Sequence, residues 1–200
     1  MLRRLLALLL TLLLLACGGA RLQPLPAGAS ILAFGDSLTY GTGASAEEAY
    51  PARLSALIGH PVINAGIPGE TSAQGRARLQ AVLDEVKPQL VLLCLGGNDF
   101  LQRQPAGETT ANLAAMLELL AQRRIQVMLI GVPRPGLGLD TDPLYAALAK
   151  QYQVPLNDTS LEDILSQREL KSDTVHPNAA GYQQLALELA EQLRETGAIR

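Results

Sequence analysis

Ser37, His176 and Asp173 have the side-chain chemistry of a nucleophilic relay. A serine hydroxyl becomes a nucleophile when an imidazole takes its proton and a carboxylate orients the imidazole ring. Asp173 precedes His176 by three residues in a predicted turn, so its carboxylate can reach one ring nitrogen while the other faces Ser37. The sequence has one other histidine, His60, which stands at the entrance of a predicted strand, at the wrong end of the sheet. This pattern predicts acyl transfer from a carbonyl compound to Ser37 and then to water.

Five short apolar runs are predicted to be the strands that position these groups, because they alternate with helical patterns. The runs cover residues 30–34, 61–64, 90–95, 126–132 and 154–156. Strands separated by helices form βαβ units, whose right-handed crossovers place helices on both faces of a parallel sheet. We therefore predict an α/β fold, a flavodoxin-like three-layer α/β/α sandwich with a five-stranded parallel sheet. In such a sheet the functional loops follow the carboxyl ends of the strands, as Ser37 does after the first run.

The helices are predicted from capping chemistry and from apolar periodicity. Residues 45–48 and 71–74 both match the capping-box pattern at a helix start. Apolar residues recur with helical spacing in two later segments, each of which should pack one face on the sheet. The two stripes consist of Leu113, Met116, Leu117 and Leu120, and of Tyr182, Leu185, Ala186, Leu189 and Leu193.

Four segments together resemble the signature blocks of the SGNH (GDSL-like) hydrolase family. These are Gly35-Asp36-Ser37-Leu38, a glycine block after the second run, Gly-x-Asn-Asp at 96–99, and Asp-x-x-His at 173–176. The likeness covers roughly Ile31 to Leu193 and is greatest to the bacterial acyl-CoA thioesterase I, lysophospholipase L1 and arylesterase group. The resemblance implies hydrolysis of ester or thioester bonds of acyl substrates, with Ser37 as nucleophile and with Asp173 and His176 as the acid and base.

The resemblance also implies an oxyanion hole formed by the backbone N–H of Ser37, the N–H of Gly69 and the side-chain amide of Asn98. The glycine block contains two candidates, Gly66 and Gly69. Gly69 is preferred because it lies at a predicted helix start, where backbone N–H groups point outward with a favourable dipole. Gly66 is assigned to the turn itself.

Other chemistries are less well supported. The surroundings of Ser37 lack the Gly-x-Ser-x-Gly elbow of α/β-hydrolases, since Thr39 stands where the second glycine would be. Residues 41–46 match a dinucleotide-binding pattern, but they begin several residues after the strand, and the second strand does not end in an acidic residue. No metal-binding motif or phosphate-cradling motif is present, so neither a metal nor another cofactor is expected.

The acyl group of the substrate is expected to bind to apolar loop residues near these blocks. The candidates are Phe100, Leu101, Leu137 and Leu139, which could form an apolar groove, although ordinary loop packing would explain the same residues. Two alternatives remain open for the function. One is a carbohydrate O-acetyl esterase, and the other is a non-catalytic envelope lipoprotein on the same fold.

The N-terminus is predicted to direct the protein to the bacterial cell envelope. Residues 1–16 combine positive charge with an apolar run too short to span a bilayer, and Leu14-Leu15-Ala16-Cys17 resembles a bacterial lipobox. We predict a signal peptide over 1–16, a lipidated Cys17 with a flexible spacer to residue 29, and one catalytic domain over 30–200 that faces the periplasm. Plain secretion is the alternative.

The net charge and the cysteine content limit the kinds of molecule that the protein is expected to bind. The net charge is −3, and it becomes −5 without Arg3 and Arg4, so nucleic acid and acidic lipid surfaces are poor candidate partners. Once Cys17 is acylated only Cys94 remains, as a buried apolar residue.

Overall fold

The computed structural model describes residues 19–136 and 138–200. Residues 1–18 lie outside this part of the chain, so the predicted signal peptide and Cys17 are not described. Leu137 also lies outside it. Among the described residues, no helix combines the length and the apolarity that crossing a membrane requires.

The sheet has five parallel strands in the order β2-β1-β3-β4-β5, which confirms the predicted fold class. The strands are β1 (Ile31–Gly35), β2 (Val62–Gly66), β3 (Leu90–Cys94), β4 (Gln126–Ile130) and β5 (Leu156–Asn157). Every residue of β1 and β3 is buried, because helices cover both faces of the sheet. Central strands of this kind are apolar throughout instead of alternating, which is why they stand out in the sequence.

Helices form the two outer layers. They are α1 (Ser37–Tyr40), α2 (Tyr50–Ile58), α3 (Ser72–Val86), α4 (Gly97–Leu101), α5 (Ala106–Gln122), α6 (Pro143–Tyr152), α7 (Ser160–Ser166) and α8 (Ala179–Glu195). The connection through α2 leads from β1 to the edge strand β2, and the connection through α3 leads from β2 past β1 to β3. Because these two connections run in opposite directions across the sheet, right-handed crossovers place the two helices on opposite faces. Consistent with this, α2 packs on α8 and α3 packs on α5. The apolar stripes predicted in α5 and α8 are buried, and Cys94 is buried as expected.

One of the two predicted capping boxes begins a helix and the other does not. Thr71 caps α3, and both hydrogen bonds of the box with Gln74 are formed. At Ser45 the Glu48 carboxylate does accept from the backbone N–H, at 3.1 Å, but the following residues form turns and α2 begins only at Tyr50. Pro51 explains the difference, because a helix starting at residue 46 would force the proline ring against the carbonyl of residue 47.

The segment before β1 packs on the domain. The backbone N–H of Leu22 donates to the carbonyl of Thr196 at 2.9 Å, and that of Leu25 donates to Ala198 at 2.8 Å. The side chain of Leu22 is buried in the core. Burying one leucine stabilises a fold by about 1.5–3 kcal/mol, so these contacts extend the packed chain back past Ser30 to Leu22. The prolines and glycines that suggested a spacer are interspersed with the apolar residues that make the contacts.

Candidate active site

The structure brings Ser37, His176 and Asp173 into one hydrogen-bonded chain at the carboxyl edge of the sheet. The Nε2 atom of His176 lies 2.9 Å from the Oγ atom of Ser37, and its Nδ1 atom lies 2.8 Å from Oδ2 of Asp173. Because a carboxylate can only accept, the Nδ1 atom carries the ring proton and Nε2 accepts from the serine hydroxyl. This arrangement can take a proton from Ser37 without any movement of the three side chains.

The loop that carries Asp173 and His176 is held by its own backbone. The Oδ1 atom of Asp173 accepts hydrogen bonds from the N–H groups of Val175 at 2.8 Å and His176 at 2.9 Å. Ser172 closes the loop by donating its N–H to the carbonyl of His176 at 2.9 Å. Asn178 then caps α8 by accepting from two backbone N–H groups at its start. The loop is therefore fixed at the start of α8, a 17-residue helix with one buried face, which limits the positions that the imidazole can take.

Opposing effects act on the carboxyl group of Asp173. Partial burial raises its pKa, but hydrogen bonds from the His176 ring and from the backbone N–H groups of Val175 and His176 together lower the pKa below its usual value. Asp173 therefore stays ionised over the whole neutral range. An ionised carboxylate is the form that can stabilise an imidazolium on the adjacent ring.

Ser37 is placed by the sharp transition from β1 into α1. Asp36 caps this helix, since its Oδ1 accepts from the N–H of Leu38 at 3.0 Å. As the first helical residue, Ser37 has a backbone N–H without an intrahelical partner. Gly66 at the end of β2 allows the close approach of α1, because a Cβ atom there would lie 2.1 Å from the backbone nitrogen of Tyr40.

The two other predicted oxyanion donors face the same cavity as Ser37. Gly69 has a φ of +81°, which L-residues with a side chain rarely adopt, and its N–H donates to no protein acceptor among the described residues. Asn98 projects its amide from the first turn of α4 and is half-buried. Gly66, the rejected candidate, has its N–H bonded to Oδ1 of Asn64 at 2.9 Å and does not line the cavity. Ser37, Gly69 and Asn98 therefore line one cavity, and the amide of Asn98 donates within it to Asp36 and to the carbonyl of Glu70.

A cavity of about 290 Å³ opens beside these groups, and most of its other walls are apolar. Leu101 and Leu139 line it, as expected. Phe100 does not, because adjacent helical residues point in different directions: its ring packs edge-on against Tyr145, with ring centroids 6.5 Å apart. Pro135, from the same loop as Leu139, also lines the cavity, and sequence reasoning missed further apolar wall residues, namely Leu38, Pro68, Val132, Pro133, Leu165 and Val175.

Asp36 is the other residue of the site to which sequence reasoning gave no role. Its side chain is buried, lines the cavity and lies 3.3 Å from the Nδ2 atom of Asn98. Burial raises its pKa from 3.8 to about 7; the hydrogen bond from Leu38 lowers the pKa, and the nearby Glu70 and Asp99 raise it further. The available signal was an acidic residue directly beside Ser37, at the end of a strand that is apolar throughout.

The residues set aside in the sequence lie away from this chemistry. The ring of His60 bonds the carbonyl of Ala29 through Nδ1 at 3.1 Å, before β2 begins. Residues 41–46 form turns between α1 and α2 and do not connect a strand directly to a helix. Within the described part of the chain, no three His, Cys, Asp or Glu side chains are grouped so that they could hold a metal ion.

A parallel α/β sandwich with this relay at the carboxyl edge of its sheet is the architecture of a serine ester hydrolase. Comparison with known proteins places the chain within that class. Residues 33–184 match the model of the GDSL-like Lipase/Acylhydrolase family. The chain therefore belongs to this family of SGNH hydrolases, and it is an SGNH-type serine ester hydrolase.

Two characterised relatives and one solved structure illustrate the relationship. The chain is 34% identical over 197 residues to an arylesterase of Vibrio mimicus, covering 92% of this chain and 96% of that protein. It is 33% identical over 173 residues to thioesterase 1/protease 1/lysophospholipase L1 of Escherichia coli strain K12, covering 82% of this chain and 83% of that protein. The psychrotrophic esterase EstA from Pseudoalteromonas sp. superposes with a TM-score of 0.75 at 25% identity, covering 84% of this chain and 97% of that chain.

Proposed function

We propose that the protein hydrolyses carboxylic esters or thioesters of acyl chains, with Ser37 as nucleophile, His176 as general base and acid, and Asp173 as the group that orients the imidazole. The observation that carries this proposal is the continuous hydrogen-bonded relay, with contacts of 2.9 Å and 2.8 Å, at the mouth of an apolar cavity. The named activities of the arylesterase and thioesterase relatives support the same reaction class.

The reaction takes place in two acyl transfers. The Oγ atom of Ser37 attacks the carbonyl carbon while Nε2 of His176 takes the hydroxyl proton. When the tetrahedral intermediate collapses, His176 gives this proton to the departing alcohol or thiol and the acyl group stays on Ser37. Water then repeats the attack with His176 as base, releasing the acid and restoring the serine.

The negative charge that forms on the carbonyl oxygen would be held by the N–H groups of Ser37 and Gly69 and by the amide of Asn98. Fixed donors of this kind are worth more in a water-poor cavity than in water, because they need no reorientation as the charge forms. The N–H of Gly69 supports this assignment, since it is exposed, has no acceptor among the described residues and is available to a ligand.

The walls of the cavity favour the acyl chain as the part of the substrate that enters it. At about 290 Å³ the cavity lies at the small end of the range for small-molecule sites. Each methylene that it buries contributes about 0.8 kcal/mol, or about a fourfold gain in kcat/KM. We therefore expect kcat/KM for p-nitrophenyl esters to rise with chain length from acetate, and to level off once the tail reaches the rim.

The test is to measure this series, from acetate to palmitate, with the purified protein and with its Ser37→Ala variant. Activity that disappears in the variant and rises with chain length supports an acyl hydrolase. A Ser37-dependent activity confined to acetate would reject the acyl cavity and favour the carbohydrate O-acetyl esterase. No difference between the two proteins on any ester would reject the catalytic assignment.

We propose in addition that Cys17 is lipidated and attaches the protein to the bacterial cell envelope, facing the periplasm. The lipobox-like residues 14–17 support this. The packed chain begins at Leu22 against the end of α8 and against Gln126 at the start of β4, the edge of the sheet opposite to Ser37. A lipid at Cys17 would therefore leave the cavity mouth pointing away from the anchoring bilayer.

Cell fractionation of the wild type and of Cys17→Ser tests the anchor. The wild type should sediment with membranes and the variant should not, while both keep the same ester hydrolase activity. Equal membrane association of the two proteins would contradict lipidation at Cys17.

A further inference from the structure

The amide of Asn98 is held by two oxygen atoms, and one belongs to a carboxyl group that the proposed relay does not use. Its Nδ2 atom donates to the backbone carbonyl of Glu70 at 3.0 Å and to Oδ2 of Asp36 at 3.3 Å. These bonds fix the direction of a side chain that is only half-buried and that projects from α4, a helix of five residues. Asp36 provides the only side-chain contact of the pair, so it is the part of this clamp that a substitution can remove.

If Asp36 served only to cap α1, its carboxyl group would lower the stability of the fold more than a neutral cap would. Asp36 is buried, and among the described residues it forms no ion pair. Serine or asparagine would cap the helix equally well without an ionisable group in the core. Residues that lower stability, at positions where a neutral residue could form the same cap, are expected at functional sites.

The charged and titratable groups around Asp36 come from every element packed against it. Glu70 follows β2, Asp99 lies in α4 and Cys94 ends β3, while His176 faces the same cavity. Tyr50 in α2, Tyr145 in α6 and Tyr182 in α8 also lie close enough that the charge of Asp36 raises their pKa values. Arg78 is paired with Glu70, at 2.6 Å, and forms no ion pair with Asp36.

This environment lets the carboxyl group hold Asn98 without a full negative charge. Burial raises the pKa of Asp36 to about 7, so a large fraction is protonated near neutral pH. A protonated carboxyl group still has acceptor capacity. It can therefore accept from Asn98 while adding little of the negative charge that would oppose an oxyanion nearby.

We propose that Asp36 is a positioning residue that holds the amide of Asn98 beside the oxyanion hole through its long hydrogen bond of 3.3 Å to Nδ2. The amide has two protons: the Glu70 carbonyl keeps one, and Asp36 holds the other where it can turn to the oxyanion. The proposal rests on the function proposed above, because it assumes that Asn98 donates to the oxyanion. Asp36 touches no reacting atom in this scheme and acts only through Asn98.

A double-mutant cycle tests the proposal with Asp36→Ser, Asn98→Ala and the combination, using kcat and KM for a p-nitrophenyl ester and the free energy of unfolding in urea. Serine keeps the cap on α1 but is too short to reach Asn98. Removing an oxyanion donor outright costs about 100- to 1000-fold in kcat. Misdirecting it should cost part of this, so we expect Asp36→Ser to lower kcat by about tenfold or more with KM nearly unchanged.

The combined variant identifies the route of the effect. If Asp36 acts through Asn98, Asp36→Ser should lower kcat by less than about twofold in the Asn98→Ala background, because the effects of coupled residues do not add. The full loss in that background, or an unchanged kcat for Asp36→Ser alone, would overturn the proposal. A normal kcat for Asn98→Ala alone would instead reject the proposed oxyanion hole.

Discussion

Asp36 should make the protein less stable as the pH rises, and Asp36→Asn should abolish this dependence. Burial raises the pKa of this carboxyl group from 3.8 to about 7 in the folded protein. A group whose folded pKa is raised contributes stability that is fully present below the unfolded pKa and is lost as the pH rises through the folded pKa. The window for the loss is therefore about pH 4 to pH 7.

The size of the effect follows from the two pKa values. At 1.36 kcal/mol for each pH unit, a separation of about three units corresponds to about 4 kcal/mol in total. About 2.5 kcal/mol of this falls between pH 5 and pH 8. Asparagine has nearly the same shape but no charge, so any cost of its altered hydrogen bonds should be independent of pH.

Urea denaturation of the wild type and Asp36→Asn at pH 5, 6, 7 and 8 provides the measurement. The difference in unfolding free energy between the two proteins should move in favour of the variant by about 2.5 kcal/mol over this range. Asp142→Asn is a matched control, because Asp142 is also buried and caps a helix, but its charge is compensated by Arg134. A pH-independent difference for Asp36→Asn would refute the reasoning that its burial is uncompensated.

Three further predictions concern the site. Asn98→Ala should lower kcat by about 100- to 1000-fold with little change in KM, measured by steady-state ester hydrolysis, and a loss confined to KM would count against an oxyanion role. Asp173→Asn should leave the fold intact but reduce kcat by about 10⁴-fold, because the carboxylate would no longer hold the imidazole in the tautomer with its proton on Nδ1. A loss of kcat below about tenfold would argue that the backbone of the loop alone orients His176. Gly66→Ala should prevent folding or destabilise the fold severely, because the new Cβ would lie 2.1 Å from a backbone nitrogen. Gly69→Ala places its Cβ within 4 Å of no atom and should cost only about 1 kcal/mol of backbone strain. Urea denaturation measures both effects, and equal losses of stability would contradict the different roles assigned to these glycines.

The two buried carboxyl groups near Asn98 show how function and stability oppose each other in this fold. Asp36 and Asp99 are both buried carboxyl groups close to Asn98 along the chain or in space. Asp99 is matched by donors, since it accepts from the backbone N–H of Ser72 at 2.8 Å. Asp36 has fewer donors and no cation paired with it in the described part of the chain, so its burial is the less compensated of the two. Its position beside Ser37, the proposed nucleophile, is where such a cost to stability is expected.

Local patterns in the sequence were sufficient for the architecture. The buried strands β1 and β3 are apolar throughout, and the helices α5 and α8 repeat with a period of about 3.6, so each element type follows from neighbouring residues alone. The signature blocks were also recognisable, because Ser37, Asn98 and His176 each lie in a short segment with a distinctive pattern. Parallel topology then implies that segments following the strands meet at one edge.

What only the tertiary structure decided is how side chains meet across long separations. The contact between His176 and Ser37 joins residues 139 positions apart, and the contact between Asn98 and Asp36 joins residues 62 positions apart. That Phe100 packs on Tyr145 and does not line the cavity has the same origin, since the rotation of a short helix depends on what packs beneath it. Sequence fixes which groups are available through local propensity and periodicity. Whether those groups come within hydrogen-bonding distance, to a few tenths of an ångström, depends on the packing of the whole sheet and its helices, which no single segment encodes.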